Sequence, residues 1–351
     1  MLRQFRLRAV VTIAALAATL ATGCGPPSPE ATASGKVRTL TLGAYTTPRE
    51  AYGKAIIPAF QRAWKEKTGE EVRFQESYLG SGAQARAIAG GFEADVAALS
   101  LEADIEKLAG AGLIKRDWKA GPHRGVVTRS IVVIAVREGN PKGIRDWDDL
   151  RRPGLQVLTP NVRTSGGAMW NVCAMYGAAL RGGTTAAKGD TSAAEALLRD
   201  VLRNASVMDK GARESIISFE KGIGDAAITY ENEVLVGRQS GRRYDYVVPH
   251  STILIENPVA VVDVYADRHG NRDLADAFVA FLTTPEAQRA FADYGLRPVD
   301  ATAKREVAAR LPKVSDLFTI GDLGGWPRVT ATLFAPQGVY ERVMSSLKAK
   351  P

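Results

Sequence analysis

A chain of 351 residues with 45% hydrophobic and 24% charged residues can bury a large core and divide into two domains. Its formal charge of +8 drops to +5 once residues 1–23, with three arginines and no acid, are set aside; the basic pairs Arg151-Arg152 and Arg242-Arg243 stand alone, which excludes a nucleic-acid groove. Two cysteines exclude a disulfide framework.

The chain opens with Arg3, Arg6 and Arg8, followed by an apolar run at 9–21 that is too short to span a membrane, and this reads as a secretory signal. The small residues ending in Gly23-Cys24 are similar to a bacterial lipobox, with Ala21 where Leu is usual. That similarity implies diacylation of Cys24, export, and anchoring to the outer face of the cytoplasmic membrane, in a periplasm or at a cell surface. Residues 25–36 are rich in Pro and small polar residues and read as a tether. The remaining thiol, Cys173, lies at helical spacing among Trp170, Ala174 and Gly177 and is expected to be structural and buried.

Residues 37–45 alternate as a strand, and Thr47, Pro48 and Glu50 form a capping-box pattern that opens a helix to Lys67, bent or split at Pro58. A strand at 72–77 leads to Gly80-Ser81-Gly82, where Ser81 and Gln84 repeat the capping-box spacing. A buried strand at 95–99, a helix at 102–111 and a β-branched strand at 128–136 follow. Asp146 caps a short helix, and after a strand at 155–158 comes Ser165-Gly166-Gly167, which opens another helix. An amphipathic helix is expected at 193–203, a helix near 213–220 preceded by Gly211 and Ala212, and a strand over 225–233 that ends in polar residues and runs into another helix. Residues 253–262 read as a return strand, with two further helices at 274–282 and 285–294.

Repeated strand–loop–helix units with two crossings predict an α/β fold of two lobes joined by a two-strand hinge, with a cleft between them. Lobe I is expected from 37–127 and 256–351, and lobe II from 128–255. Ligands in such folds sit at the carboxyl ends of strands. The loops before the helices at Thr46, Ser81, Ser165 and Ala212 would then face the cleft, each offering backbone N–H groups that suit an anion.

Segments at Tyr45–Glu50, Gly80–Gly82, Arg137–Lys142, Thr164–Asn171, Gly211–Arg213, Gly222–Asp225 and Tyr230–Glu233, with Thr319–Trp326 near the end, resemble the periplasmic sulfate-binding proteins of ATP-binding cassette transporters. The resemblance implies a type II solute-binding fold that closes over one dehydrated sulfate without metal or cofactor. It further implies main-chain donors at Thr46, Ser81, Gly166, Gly167 and Ala212, a hydroxyl donor at Ser165, and a side-chain donor at Tyr230. Two positions depart from the family pattern: Thr46 stands where many members have Asp, and Tyr230 where enterobacterial members place an indole. The implied partners are the permease and ATPase subunits of an importer, with the binding protein itself a monomer.

Sulfate carries no proton near neutral pH, so a site for it needs donors only, whereas hydrogen phosphate also wants an acceptor; none of the seven groups is an ionised acceptor. Arg49 and Arg213 beside these donors are read either as steering charges or as ion-pair partners of nearby acids. Thiosulfate, molybdate, tungstate and phosphate are the other oxyanions considered. A sulfate- or phosphate-ester hydrolase using Ser165 is the rival from another class, and it lacks a motif tying His123, His250 or His269 to that serine.

Overall fold

The computed structural model describes residues 37–348; the signal, Cys24 and the tether lie outside the described residues. Strand β1 (Val37–Tyr45) leads through α1 (Arg49–Ala51) and a π-helical turn at Tyr52–Ile56 into α2 (Ile57–Thr68), followed by β2 (Glu71–Leu79), α3 (Ser81–Ala89), β3 (Val96–Ala98) and α4 (Glu102–Gly110). Next come β4 (Val126–Arg137), β5 (Val157–Leu158), α5 (Gly166–Arg181), α6 (Thr191–Arg203), β6 (Ala205–Val207), α7 (Ala212–Glu220), β7 (Ala226–Tyr230), α8 (Glu231–Gln239) and β8 (Tyr244–Val247). The chain returns through β9 (Ser251–Val261) to α9 (Asp263–Arg268), α10 (Arg272–Phe281), α11 (Pro285–Asp293), β10 (Arg297–Pro298) and α12 (Ala301–Val307), and ends with β11 (Asp316–Phe318), α13 (Gly325–Val329) and α14 (Val339–Lys348). The bend expected at Pro58 takes the form of the π turn just before it, because proline has no N–H for the helical ladder.

The main strand order is β2-β1-β3-β9-β4-β7-β5-β6. Parallel pairs lie at both ends, β2-β1-β3 and β7-β5-β6, while β9 and β4 run antiparallel to their neighbours in the middle. Strand β4 changes partner along its length: Val126–Ile131 face β9, and Val132–Val136 face β7. Both faces of β4 are buried, with Ile131, Val133 and Ala135 in one hydrophobic cluster and Val132, Ile134 and Val136 in another. An unbroken Ile-Val-Val-Ile-Ala-Val run is what a strand covered on both sides requires.

Two large cores flank this pair of shared strands. One gathers Leu40, Leu42, Phe60, Trp64, Phe278 and Phe291; the other gathers Ile134 of β4 with Trp170, Leu197, Leu198 and Ile228 from α5, α6 and β7. The fold is therefore two α/β lobes sharing β4 and β9.

The tail from β11 onward packs differently from the expectation that 256–351 belongs with the first lobe. Phe318, Trp326, Val329, Leu333, Tyr340 and Val343 join the core built on α5 and α6. The reason lies in α5, where 13 of 16 residues are buried: a helix apolar all round needs cover on its outer side as well. Trp326 supplies part of that cover, its ring edge-on to Trp170 with centroids 4.9 Å apart. Phe318 supplies more, resting on Gly177, where an added Cβ would come within 2.5 Å of its ring. Gly177→Ala should therefore lower unfolding stability by about 1–3 kcal/mol in a denaturant titration, and an unchanged midpoint would mean that the tail does not pack on α5.

Candidate functional site

Ser165 is the N-cap of α5, and its Oγ accepts the Ala168 N–H at 3.3 Å, which leaves the hydroxyl proton free. Gly166 and Gly167 fill the first two helical positions, whose N–H groups have no intrahelical acceptor. Neither has room for a side chain. A Cβ on Gly166 would lie 2.6 Å from Ser100 Oγ, and one on Gly167 would lie 2.8 Å from Tyr230 Cε2, 3.0 Å from Ala212 Cβ and 3.3 Å from Ser165 Oγ.

The remaining sequence-predicted residues meet at the same place. Ala212 opens α7, and a Cβ on the preceding Gly211 would lie 3.5 Å from Thr46 Oγ1. Ser81 opens α3, and its Oγ accepts the Ser100 N–H at 3.0 Å, while Ser100 Oγ lies 2.6 Å from the Tyr230 hydroxyl. Thr46, Ser81, Ser165, Gly166, Gly167, Ala212 and Tyr230 are all buried. Among the described residues, the N–H groups of Thr46, Ser81, Gly166, Gly167 and Ala212 find no protein acceptor. Buried N–H groups are almost always paired, so five together mark a place built to receive acceptors.

Neither capping box expected near this site forms. The N-cap of α1 is Pro48, Thr47 Oγ1 is buried without a hydrogen-bond partner among the described residues, and Glu50 is turned toward Arg213. At α3 the N-cap is Gly80; Ser81 Oγ donates to Asp104 Oδ2 at 2.7 Å, and Gln84 Oε1 accepts from Ser77 Oγ at 3.1 Å. Tertiary partners have taken the Glu50, Ser81 and Gln84 side chains, so Ser81 offers its N–H and not its hydroxyl. Three residues that the sequence did not single out for the site complete its surroundings. Ser100 binds Tyr230; Trp170 Nε1 donates to Ser100 O at 3.0 Å; and the buried Tyr45 hydroxyl has no hydrogen-bond partner among the described residues, its ring 6.3 Å from that of Tyr230.

Of the two roles open to Arg213, the structure makes it an ion-pair partner. Its Nη2 donates to Glu50 Oε2 at 2.7 Å and to Thr47 O at 3.2 Å, so α7 is tied to the segment after β1. Its Nε lies 3.1 Å from Glu233 Oε2, close enough for strong attraction but off the line of a hydrogen bond, and among the described residues both Glu233 oxygens lack a hydrogen-bonding partner. Burial works against the Arg213 charge, yet the carboxylates of Glu233 and Glu50 hold its pKa above the ordinary value. Burial likewise pushes the Glu233 carboxyl up to about 7, against the pull of Arg213. Arg49 is exposed and lies over the Tyr78 ring, 5.4 Å from its centroid. Among the described residues no helix is long and apolar enough to cross a membrane.

Residues 40–297 match the family described as bacterial extracellular solute-binding protein. The chain is 41% identical over 350 residues to a sulfate-binding protein of Synechococcus elongatus, covering 99% of this chain and 98% of that one. It is 35% identical to a thiosulfate-binding protein of Pseudomonas aeruginosa, covering 86% and 90% of the two chains. The structure of the sulfate-binding protein SubI from Mycobacterium tuberculosis superposes with a TM-score of 0.77 at 37% identity, over 85% of this chain and 99% of that one. The chain belongs to the bacterial extracellular solute-binding proteins.

A buried carboxyl whose folded pKa is raised adds stability that is fully present below its ordinary value and lost as pH rises through the folded one. For Glu233 that window runs from about 4.5 to about 7, with a full effect of about 3 kcal/mol. Thermal unfolding across this range should decline less in Glu233→Gln than in the native protein; parallel curves would show that the carboxyl titrates normally.

Proposed function

We propose that this member of the solute-binding family captures sulfate and delivers it to an ATP-binding cassette importer. The observation that carries the reading is the set of five buried N–H groups without protein acceptors, contributed from both lobes and joined by the Ser165 and Tyr230 hydroxyls. Sulfate would be held by the N–H groups of Thr46, Ser81, Gly166, Gly167 and Ala212 together with those two hydroxyls. Helix starts at Ser81, Gly166 and Ala212 add about 0.3–1 kcal/mol each of dipole attraction, less than the hydrogen bonds themselves. The sulfate- and thiosulfate-binding relatives support this ligand class, and thiosulfate is the second ligand to be tested.

Binding rather than catalysis fits Ser165, whose Oγ takes the Ala168 N–H with no histidine among its partners in the described residues. His269 is occupied elsewhere, between Asp95 and Glu93. Export, the lipid anchor at Cys24, a monomeric state, and the permease and ATPase partners complete the reading, with Arg49 as the steering charge. For the lobes we propose 37–127 with 256–315, and 128–255 with the tail from 316, a division supported by the two cores and by the packing of β11 to α14.

An anion enclosed this way enters only if the lobes part, and Gly80 is one place where they meet closely. A Cβ there would lie 2.5 Å from Thr164 O and 2.9 Å from Lys210 O, while the Gly80 backbone itself is unstrained at φ −56° and ψ 140°. Calorimetric titration at pH 7 should show sulfate binding with no comparable response to phosphate; stronger phosphate binding would overturn the donor-only reading. Ser165→Ala should lose at least ~1 kcal/mol of sulfate affinity. Gly80→Ala should keep its ligand-free melting temperature yet bind sulfate at least about tenfold more weakly, and small-angle scattering should no longer show compaction on adding sulfate. Native-like compaction in that variant would show that the contact does not govern closure.

A further inference from the structure

Ser100, between β3 and α4, is 1% exposed and uses every polar atom it has. Its N–H donates to Ser81 Oγ at 3.0 Å, and its carbonyl accepts from Trp170 Nε1 at 3.0 Å and Asn257 Nδ2 at 3.2 Å. Its Oγ lies 2.6 Å from the Tyr230 hydroxyl and against Gly166, whose added Cβ would come equally close. Ser100 thus joins a donor of the first lobe, Ser81, to two residues of the second, Gly166 and Tyr230.

Counting protons gives this pair a purpose. Two hydroxyls carry two protons, and their mutual hydrogen bond uses one. A lone phenol both donates and accepts, so it would serve a protonated ligand as well as a bare one. The phenol O–H is the more acidic of the two and makes the stronger bond to an anion, so the favourable arrangement has Ser100 donating to the phenol oxygen and the phenol donating onward.

We propose that Ser100 is a specificity-determining residue: by filling the acceptor position of the Tyr230 oxygen, it turns an ambivalent hydroxyl into a donor and so disfavours oxyanions that carry a proton. This rests on the oxyanion-binding reading above. Ser100 acts through Tyr230, so its effect on selectivity disappears when the phenol oxygen is removed.

The test is calorimetric titration of sulfate and of inorganic phosphate at pH 7 into the native protein, Ser100→Ala, Tyr230→Phe and the double variant. Ser100→Ala should reduce the sulfate-to-phosphate affinity ratio by roughly tenfold, the scale of one buried polar mismatch. In the Tyr230→Phe background the same change should move the ratio by less than about twofold. An unchanged ratio in Ser100→Ala, or an equal change in both backgrounds, overturns the proposal and leaves Ser100 a packing residue. Should Ser100→Ala not fold, Ser100→Cys keeps the volume with a poor donor and should shift the ratio the same way. A native protein that binds neither anion would overturn the underlying reading instead, whereas native sulfate binding weakened by Ser165→Ala but indifferent to Ser100 would overturn this inference alone.

Discussion

An N–H group withdrawn from water without an acceptor costs about 1–3 kcal/mol, and among the described residues five buried residues bring backbone N–H groups without a protein acceptor to one place. Much of the surrounding architecture can be understood as the means of holding that arrangement. Helix starts supply N–H groups that no intrahelical carbonyl can take, and glycine at 166 and 167 lets neighbouring groups approach within distances that a side chain would forbid. The donors come from both lobes, so their spacing depends on how the lobes meet. Strands β4 and β9 set that relation by belonging to both halves at once.

The sequence shows most clearly what is local. Ser165 before two glycines and an apolar run reads as an N-cap and is one, because the bond it makes reaches only three residues along the chain. The long apolar strand at β4 is equally legible, since burial on both faces leaves no polar alternation. The capping boxes at Thr47 and Ser81 mislead for a physical reason. Their spacing is right, but Arg213 takes the Glu50 carboxylate and Asp104 takes the Ser81 hydroxyl, and a charged partner outcompetes a helix cap.

Distance in the chain explains the rest. Ser100 meets Tyr230 across 130 residues, and no local pattern announces such a contact. The tail beyond β11 joins the core opposite to the one expected, because its own apolar residues show that it is buried but not against what. Only the largely apolar surface of α5 indicates where cover is missing, and a helix of small residues is as easily read as a tight interhelical contact.

The seven proposed ligand groups carry no formal charge, five being amides and two hydroxyls. A dianion seated there keeps its charge within the protein, since Arg213 is already balanced by Glu50. Loaded and empty molecules of nearly the same mass then differ by two full charges. The electric field beyond the surface becomes a record of occupancy, legible to a membrane partner or to an electrophoretic gel without contact with the buried ligand.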